Sequence, residues 1–278
     1  MSKRLTFFIA ALCLATPLAA RQAAEPPLDP ACPAAGHPLP RGPDWLCLGT
    51  LNEDYSFASV YPKSVERVPA LDAAVRAEAA RGAAWIAAEA QRSRAERRMM
   101  APMRYEARWQ VDAILPEVAA ASAAIGHHVG GAHGGIEYKT ILIDPRRGRR
   151  LVLADLFRPG FLESRTLGDR IHGVWAVQDA FCRALTAEVR DRRDDPAAAV
   201  ACPNVEEQPV TLVCGGNGRI DRMRTLLNPY VIGSWAEGPY EIEFPIDAMI
   251  MDGMKRRYRS AFGLARESRP RSPLRPCR

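Results

Sequence analysis

Between Met103 and Ala113 the chain alternates without a break: Met103, Tyr105, Ala107, Trp109, Val111 and Ala113 stand between Arg104, Glu106, Arg108, Gln110 and Asp112. A period of two puts one set on a buried face and the other in solvent, so the pattern predicts a strand. Upstream, Tyr55, Phe57 and Tyr61 recur at spacings of two and four until Pro62, which predicts an extended segment. From Val68 to about Arg98 the period changes. Val68, Leu71, Val75 and then Trp85 or Ile86 fall at helical spacing, and Arg92, Arg94, Arg97 and Arg98 sit where cations favour a helix C-terminus.

Two further strands are predicted downstream, over Val118 to Val129 and Ile136 to Ile143, separated by a glycine-rich turn. Asp144, Pro145 and Gly148 supply the next turn, since proline presets φ and glycine accepts a positive one. Leu167, Ile171, Val174, Gln178, Phe181 and Leu185 then repeat every three or four residues and predict a long amphipathic helix. Thr166 with Asp169 offers it a start resembling a capping box, and Asp194, Asp195 and Pro196 end it. Strands near Val210 to Cys214, Ile220 to Leu227 and Tyr240 to Pro245 complete the pattern, with a short helix expected within Ile246 to Phe262. The predicted class is α+β: antiparallel sheets packed against two long helices, in two intimately joined subdomains.

The ends differ from this body. Lys3 and Arg4 precede an apolar run from Leu5 to about Ala15, followed by Pro17, Ala19 and Ala20. That order predicts a secretory signal peptide over residues 1–20, cleaved near Ala20, and the run is too short to cross a bilayer. Lipid attachment at Cys13 is disfavoured because Leu12 is a poor small-residue neighbour. No other segment reaches the roughly 20 apolar residues of a membrane helix, so the mature chain is expected to lack a transmembrane segment and to reside in the periplasm or outside the cell. Residues 21–49, rich in Pro and Ala, read as a linker, and the Arg- and Pro-rich residues 263–278 as a disordered tail.

Removing the leader leaves six cysteines, Cys32, Cys47, Cys182, Cys202, Cys214 and Cys277. With no Cys-x-x-Cys spacing and an oxidising destination, disulfides are expected over metal thiolates. Six cysteines permit 15 pairings. Proximity favours Cys32 with Cys47 and Cys182 with Cys202, leaving Cys214 with Cys277. The formal charge is +6, of which two charges lie in residues 1–20 and four in 264–278. The body is therefore neutral, which argues against nucleic acid as a partner.

Two segments have a local order beyond generic packing: HHVGGAHGG over His127 to Gly135, and NPYVIGSWAEGPYEIEFPIDAM over Asn228 to Met249. The first, with Gly130, Gly131, Ala132 and His133, then Tyr138, Lys139, Gly148 and Leu153 to Phe157, resembles a bacterial envelope domain, the domain of unknown function 3298 (DUF3298). Asn228, Pro229, Tyr230, Gly233 and Gly238 are similar to that family's closing pattern. Phe57 to Val75 resembles the domain numbered 4163 that habitually precedes it. The resemblance implies a DUF4163-like (PdaC-like) subdomain over 50–126 and a DUF3298-like (RsiV-like) domain over 127–262. Relatives include the extracellular part of a lysozyme-sensing membrane anti-sigma factor and a non-catalytic part of a peptidoglycan deacetylase. The resemblance therefore implies an envelope binding module whose partner is cell-wall glycan or a lysozyme-like protein.

The residues themselves supply no catalytic set and no cofactor motif. His127, His128 and His133 are three of five histidines, so a metal-dependent hydrolase centred on them is the rival reading. No HExxH pattern or nearby carboxylate supports it, and in a strand His127 and His128 point to opposite faces. No Gly-x-Ser-x-Gly elbow occurs, and Glu241 with Glu243 alternate with Tyr240, Ile242 and Phe244 as a solvated strand face would. A structural envelope protein without a small ligand is the third reading. The expected ligand-binding residues are His133, Tyr138, Tyr230 and Trp235, aromatic groups among turn-forming glycines suited to stacking on sugar rings or anchoring a protein.

Overall fold

The computed structural model describes residues 39–40, 44–96, 102–130, 133–162, 173–265 and 277. The expected signal peptide, Cys13, Cys32, Arg97 and Arg98, Gly131 and Ala132, the Thr166 and Asp169 cap, and most of the tail lie outside them.

The molecule is α+β and built in layers. Strands β1 (Leu39–Pro40), β2 (Trp45–Leu51), β3 (Tyr55–Pro62), β4 (Met103–Ile114), β5 (Ala119–His128), β6 (Gly135–Asp144) and β7 (Arg149–Leu151) form one sheet in chain order. Every pairing in it is antiparallel except β3 with β4, which is parallel because helix α1 (Pro69–Ala95) carries the chain back to the starting end. A second sheet has the order β10 (Tyr240–Pro245), β9 (Ile220–Leu227), β8 (Val210–Cys214). Helix α2 (Gly173–Arg193) and the short α3 (Ala248–Gly253) complete the regular elements.

Alternation along the strands decides which layer each face meets. Tyr105, Ala107 and Trp109 of β4, Ala119, Ala121, Ala123 and Ile125 of β5, and Ile141 and Ile143 of β6 bury against Leu71, Val75, Ala79 and Ile86 of α1. On the opposite face, Ala113, Ala120 and Leu142 join the core that contains the small sheet and Phe181 and Leu185 of α2. Strand β5 is covered on both faces, and its run of alanines lets both layers approach closely. Helix α1 starts with Pro69 at its first turn and carries Arg92 and Arg94 in its last. Helix α2 ends where Asp194 turns left-handed, at φ 49°.

Several expectations are revised. Residues 45–49, read as linker, form most of β2, because Leu46 and Cys47 are buried and the backbone pairs with β3. Residues 126 and 127, the expected division, are neighbours inside β5, whose ladder to β6 runs on through both. The start of the expected tail is tied in: Gly263 N donates to Ile220 O and Ala265 N to Ile246 O. Disulfides join Cys182 to Cys202, as proximity suggested, and Cys214 to Cys277, the pair left over. Cys47 is also disulfide-bonded.

Candidate functional site

The tip of the β5–β6 hairpin and the loop from β9 to β10 enclose an open cavity of about 360 Å³. Its walls are His127, Val129, His133, Gly134, Gly135, Ile136, Pro229, Tyr230 and Trp235. Three of the four expected ligand residues therefore meet at one place.

Glycines make the hairpin side possible. Gly130 has φ 98°, open to glycine at no steric cost. At Gly135 a Cβ would fall 2.0 Å from His127 Nε2, so the imidazole occupies the space that a side chain would fill. His133 Nδ1 donates to Gly134 O at 2.9 Å, and its ring stacks on Trp235 with centroids 4.4 Å apart and planes 20° apart. The Tyr230 ring is also near Trp235, 6.2 Å between centroids and 34° tilted.

The opposing loop is anchored at both ends. Asn228 Oδ1 accepts from Tyr138 N at 2.8 Å, which fastens the loop to the part of β6 that β7 leaves unpaired. Glu237 closes the other end: its carboxylate accepts from Arg193 Nη2 at 2.8 Å, from Tyr240 Oη at 2.7 Å and from Ser234 N at 3.3 Å. The Tyr240 hydroxyl first, and then Arg193, hold this carboxyl below the usual range. Arg192 lies 3.9 Å over the Tyr240 ring and donates to Glu237 O and Pro239 O. The end of α2 thus fixes the loop that presents Tyr230 and Trp235.

Tyr230 is the strained member. It has φ 72°, a conformation that residues other than Gly, Asn and Asp rarely adopt, and the residue is 65% exposed. Strain of this kind clusters at functional sites.

The remaining expectations fall elsewhere. Tyr138 is absent from the cavity wall: it is half-buried on the small-sheet side of β6, and burial, then the neighbouring Glu241, push its hydroxyl up to about 12. His127 and His128 alternate along β5, and His133 is committed to Trp235, so the three histidines do not converge. Among the described residues no three His, Cys, Asp or Glu side chains are placed to hold a metal ion. Burial depresses the His127 pKa against the opposing pull of Glu137. Glu243 is not simply solvated, since Arg224, 2% exposed, donates to its Oε1 at 2.6 Å.

Two elements went unread in the sequence. One is His127 as part of the wall, visible only through its pairing with Gly135. The other is Trp85, which is 41% exposed beside a fully buried Ile86, with its ring edge-on to His127 at 5.3 Å. A second hollow of about 410 Å³ on the flank of α2, lined by Asp179, Cys182, Arg183, Thr186, Ala187 and Arg190, contains no ring.

No family model matches the chain, and no curated protein matches it. Solved structures similar to this chain include two of the DUF3298 family. A DUF3298 family member from Bacteroides fragilis NCTC 9343 has a TM-score of 0.47 and 15% identity, over 78% of this chain and 96% of that one. A DUF3298 family protein from Pseudomonas aeruginosa PAO1 has a TM-score of 0.47 and 15% identity, over 81% and 98%. Neither likeness carries a ligand or a reaction across to this chain.

Proposed function

We propose that the protein is an exported binding module of the cell envelope that recognises cell-wall glycan on the shelf of His133, Trp235 and Tyr230. The carrying observation is Trp235, backed on one side by the His133 ring and flanked by a strained, exposed Tyr230 over an open cavity. A preorganised aromatic face stacks on the apolar face of a sugar ring at little entropic cost. Among the described residues the cavity wall contains no carboxylate, thiol or serine, which favours binding over hydrolysis. The disulfides and the absence of a membrane-length apolar helix among the described residues are compatible with an extracytoplasmic location. One observation favours a lysozyme-like protein as the ligand instead: Ile136 and Val231, 37% and 39% exposed, extend the apolar surface beside Tyr230.

Titration calorimetry of the leaderless chain against soluble peptidoglycan fragments and, separately, lysozyme tests the reading. Trp235→Ala and Tyr230→Ala should each weaken glycan binding by about 2 kcal/mol while the far-UV spectrum is unchanged. Binding of lysozyme alone favours the second reading. If neither ligand binds, both readings fail, and if binding survives both substitutions the site is elsewhere.

A further inference from the structure

His127 is a wall shared by two surfaces. One face of the cavity is built on it, and on the side of α1 the ring is met edge-on by Trp85, at 5.3 Å and 75°. Trp85 in turn lies 5.8 Å from Tyr105, which stacks on Phe57 at 5.5 Å. A row of rings therefore leaves the cavity and crosses the end of the large sheet. Phe57 and Tyr105 are its buried foundation, and Trp85 is the member that stays exposed.

The row is accommodated by glycines at two independent places. Gly82 lies inside α1, where glycine is a poor choice, and a Cβ there would fall 2.6 Å from the Tyr105 ring. Gly135 leaves the corresponding space beneath His127. Beside the rings stand polar groups able to meet hydroxyls. Glu137, 44% exposed, acts electrostatically on both His127 and Tyr105, and Lys139 Nζ lies 3.8 Å from its Oε1. Lys139 is also 3.6 Å from Glu78 Oε2, and Arg81 and Arg150 pair with the same carboxylate, so acceptors and donors alternate along the strip. Rings flanked by charged donors and acceptors suit the alternating apolar faces and hydroxyl edges of a sugar chain, and the strip is continuous with the cavity through His127.

We propose that Trp85 forms a second stacking subsite, with Glu137 and Lys139 as its polar rim, so that the protein takes an extended glycan chain across His127. This rests on the glycan reading above. It adds the length of ligand that the site selects and a residue that determines that selection.

The probes are β-1,4-linked N-acetylglucosamine oligomers, a dimer and a hexamer, titrated into the leaderless chain by calorimetry. The hexamer should bind about tenfold more tightly than the dimer, as one added ring contact implies. Trp85→Ala should bring the hexamer down to the dimer's affinity and leave the dimer unchanged, whereas Tyr230→Ala should weaken both. Trp85→Phe, which keeps a ring, should recover part of the hexamer preference, and an unaltered thermal midpoint shows that the fold is intact. Equal affinity of the two oligomers for the unsubstituted protein, or a hexamer preference that survives Trp85→Ala, overturns the second subsite while leaving the first standing. If the unsubstituted protein binds neither oligomer, the glycan reading fails and the second subsite with it.

Discussion

Asp112 is a carboxyl sealed between the two sheets, and its titration gives a stability signature that can be isolated. Thr211 Oγ1 of β8 donates to its Oδ2 at 2.6 Å, and Gln110 Nε2 donates to its Oδ1 at 3.1 Å. Burial nonetheless pushes its pKa from the ordinary 3.8 up to about 6, because these hydrogen bonds and the buried Arg224 only partly replace water. A folded-state pKa raised above the unfolded one contributes stability that is complete below the unfolded value and is lost as pH rises through the folded value. The window is therefore about pH 4 to 6, and the lost contribution is roughly 3 kcal/mol at about 1.36 kcal/mol per pH unit.

Asp112→Asn removes the charge but sacrifices part of the hydrogen bonding, about 1 kcal/mol. The variant should be slightly less stable than the unsubstituted protein at pH 4 and about 2 kcal/mol more stable at pH 8. Urea denaturation of both proteins at intervals from pH 4 to pH 8 measures this. Subtracting the two curves cancels carboxylates displaced the other way, such as Glu78 and Asp144. A difference that does not change with pH, or that changes in the opposite sense, refutes the assignment of a costly buried charge to Asp112.

Two other substitutions test the strain and the staples. Tyr230→Gly relieves a left-handed backbone at φ 72° and should raise stability by about 1 kcal/mol while weakening ligand binding as Tyr230→Ala does. A destabilised Tyr230→Gly variant contradicts strain stored for function. Replacing Cys182 and Cys202 together by Ser opens a bridge of sequence separation 20 and should cost roughly 3 kcal/mol in urea, with ligand affinity unchanged. Thiol titration of the chain without residues 1–20 under denaturing, non-reducing conditions should find no reactive cysteine, and two or more would contradict full pairing.

Much of the fold is local in origin and could be read from the chain. The alternation from Met103 to Ala113 is β4, and β8, β9 and β10 fall where β-branched, aromatic and alternating residues cluster, because a strand's side-chain period is a property of its own backbone. Helix α1 and the termination of α2 at Asp194 follow from spacing and turn chemistry in the same way. His133, Tyr230 and Trp235 were visible as rings among glycines, whose backbone freedom marks exposed turns. Tyr138 has the same composition around it but belongs to a strand, and only the packing of Glu241 against it shows that it is held away from the cavity. His127 and Trp85 were illegible for the same physical reason: they meet through the pairing of β5 with β6 and the docking of α1, contacts between residues distant in sequence. The sequence by itself determined which segments could be strands, helices and exposed turns. Tertiary structure decided which ring stands beside which, and so which residues line the cavity, because contacts across layers depend on distances that no local period encodes.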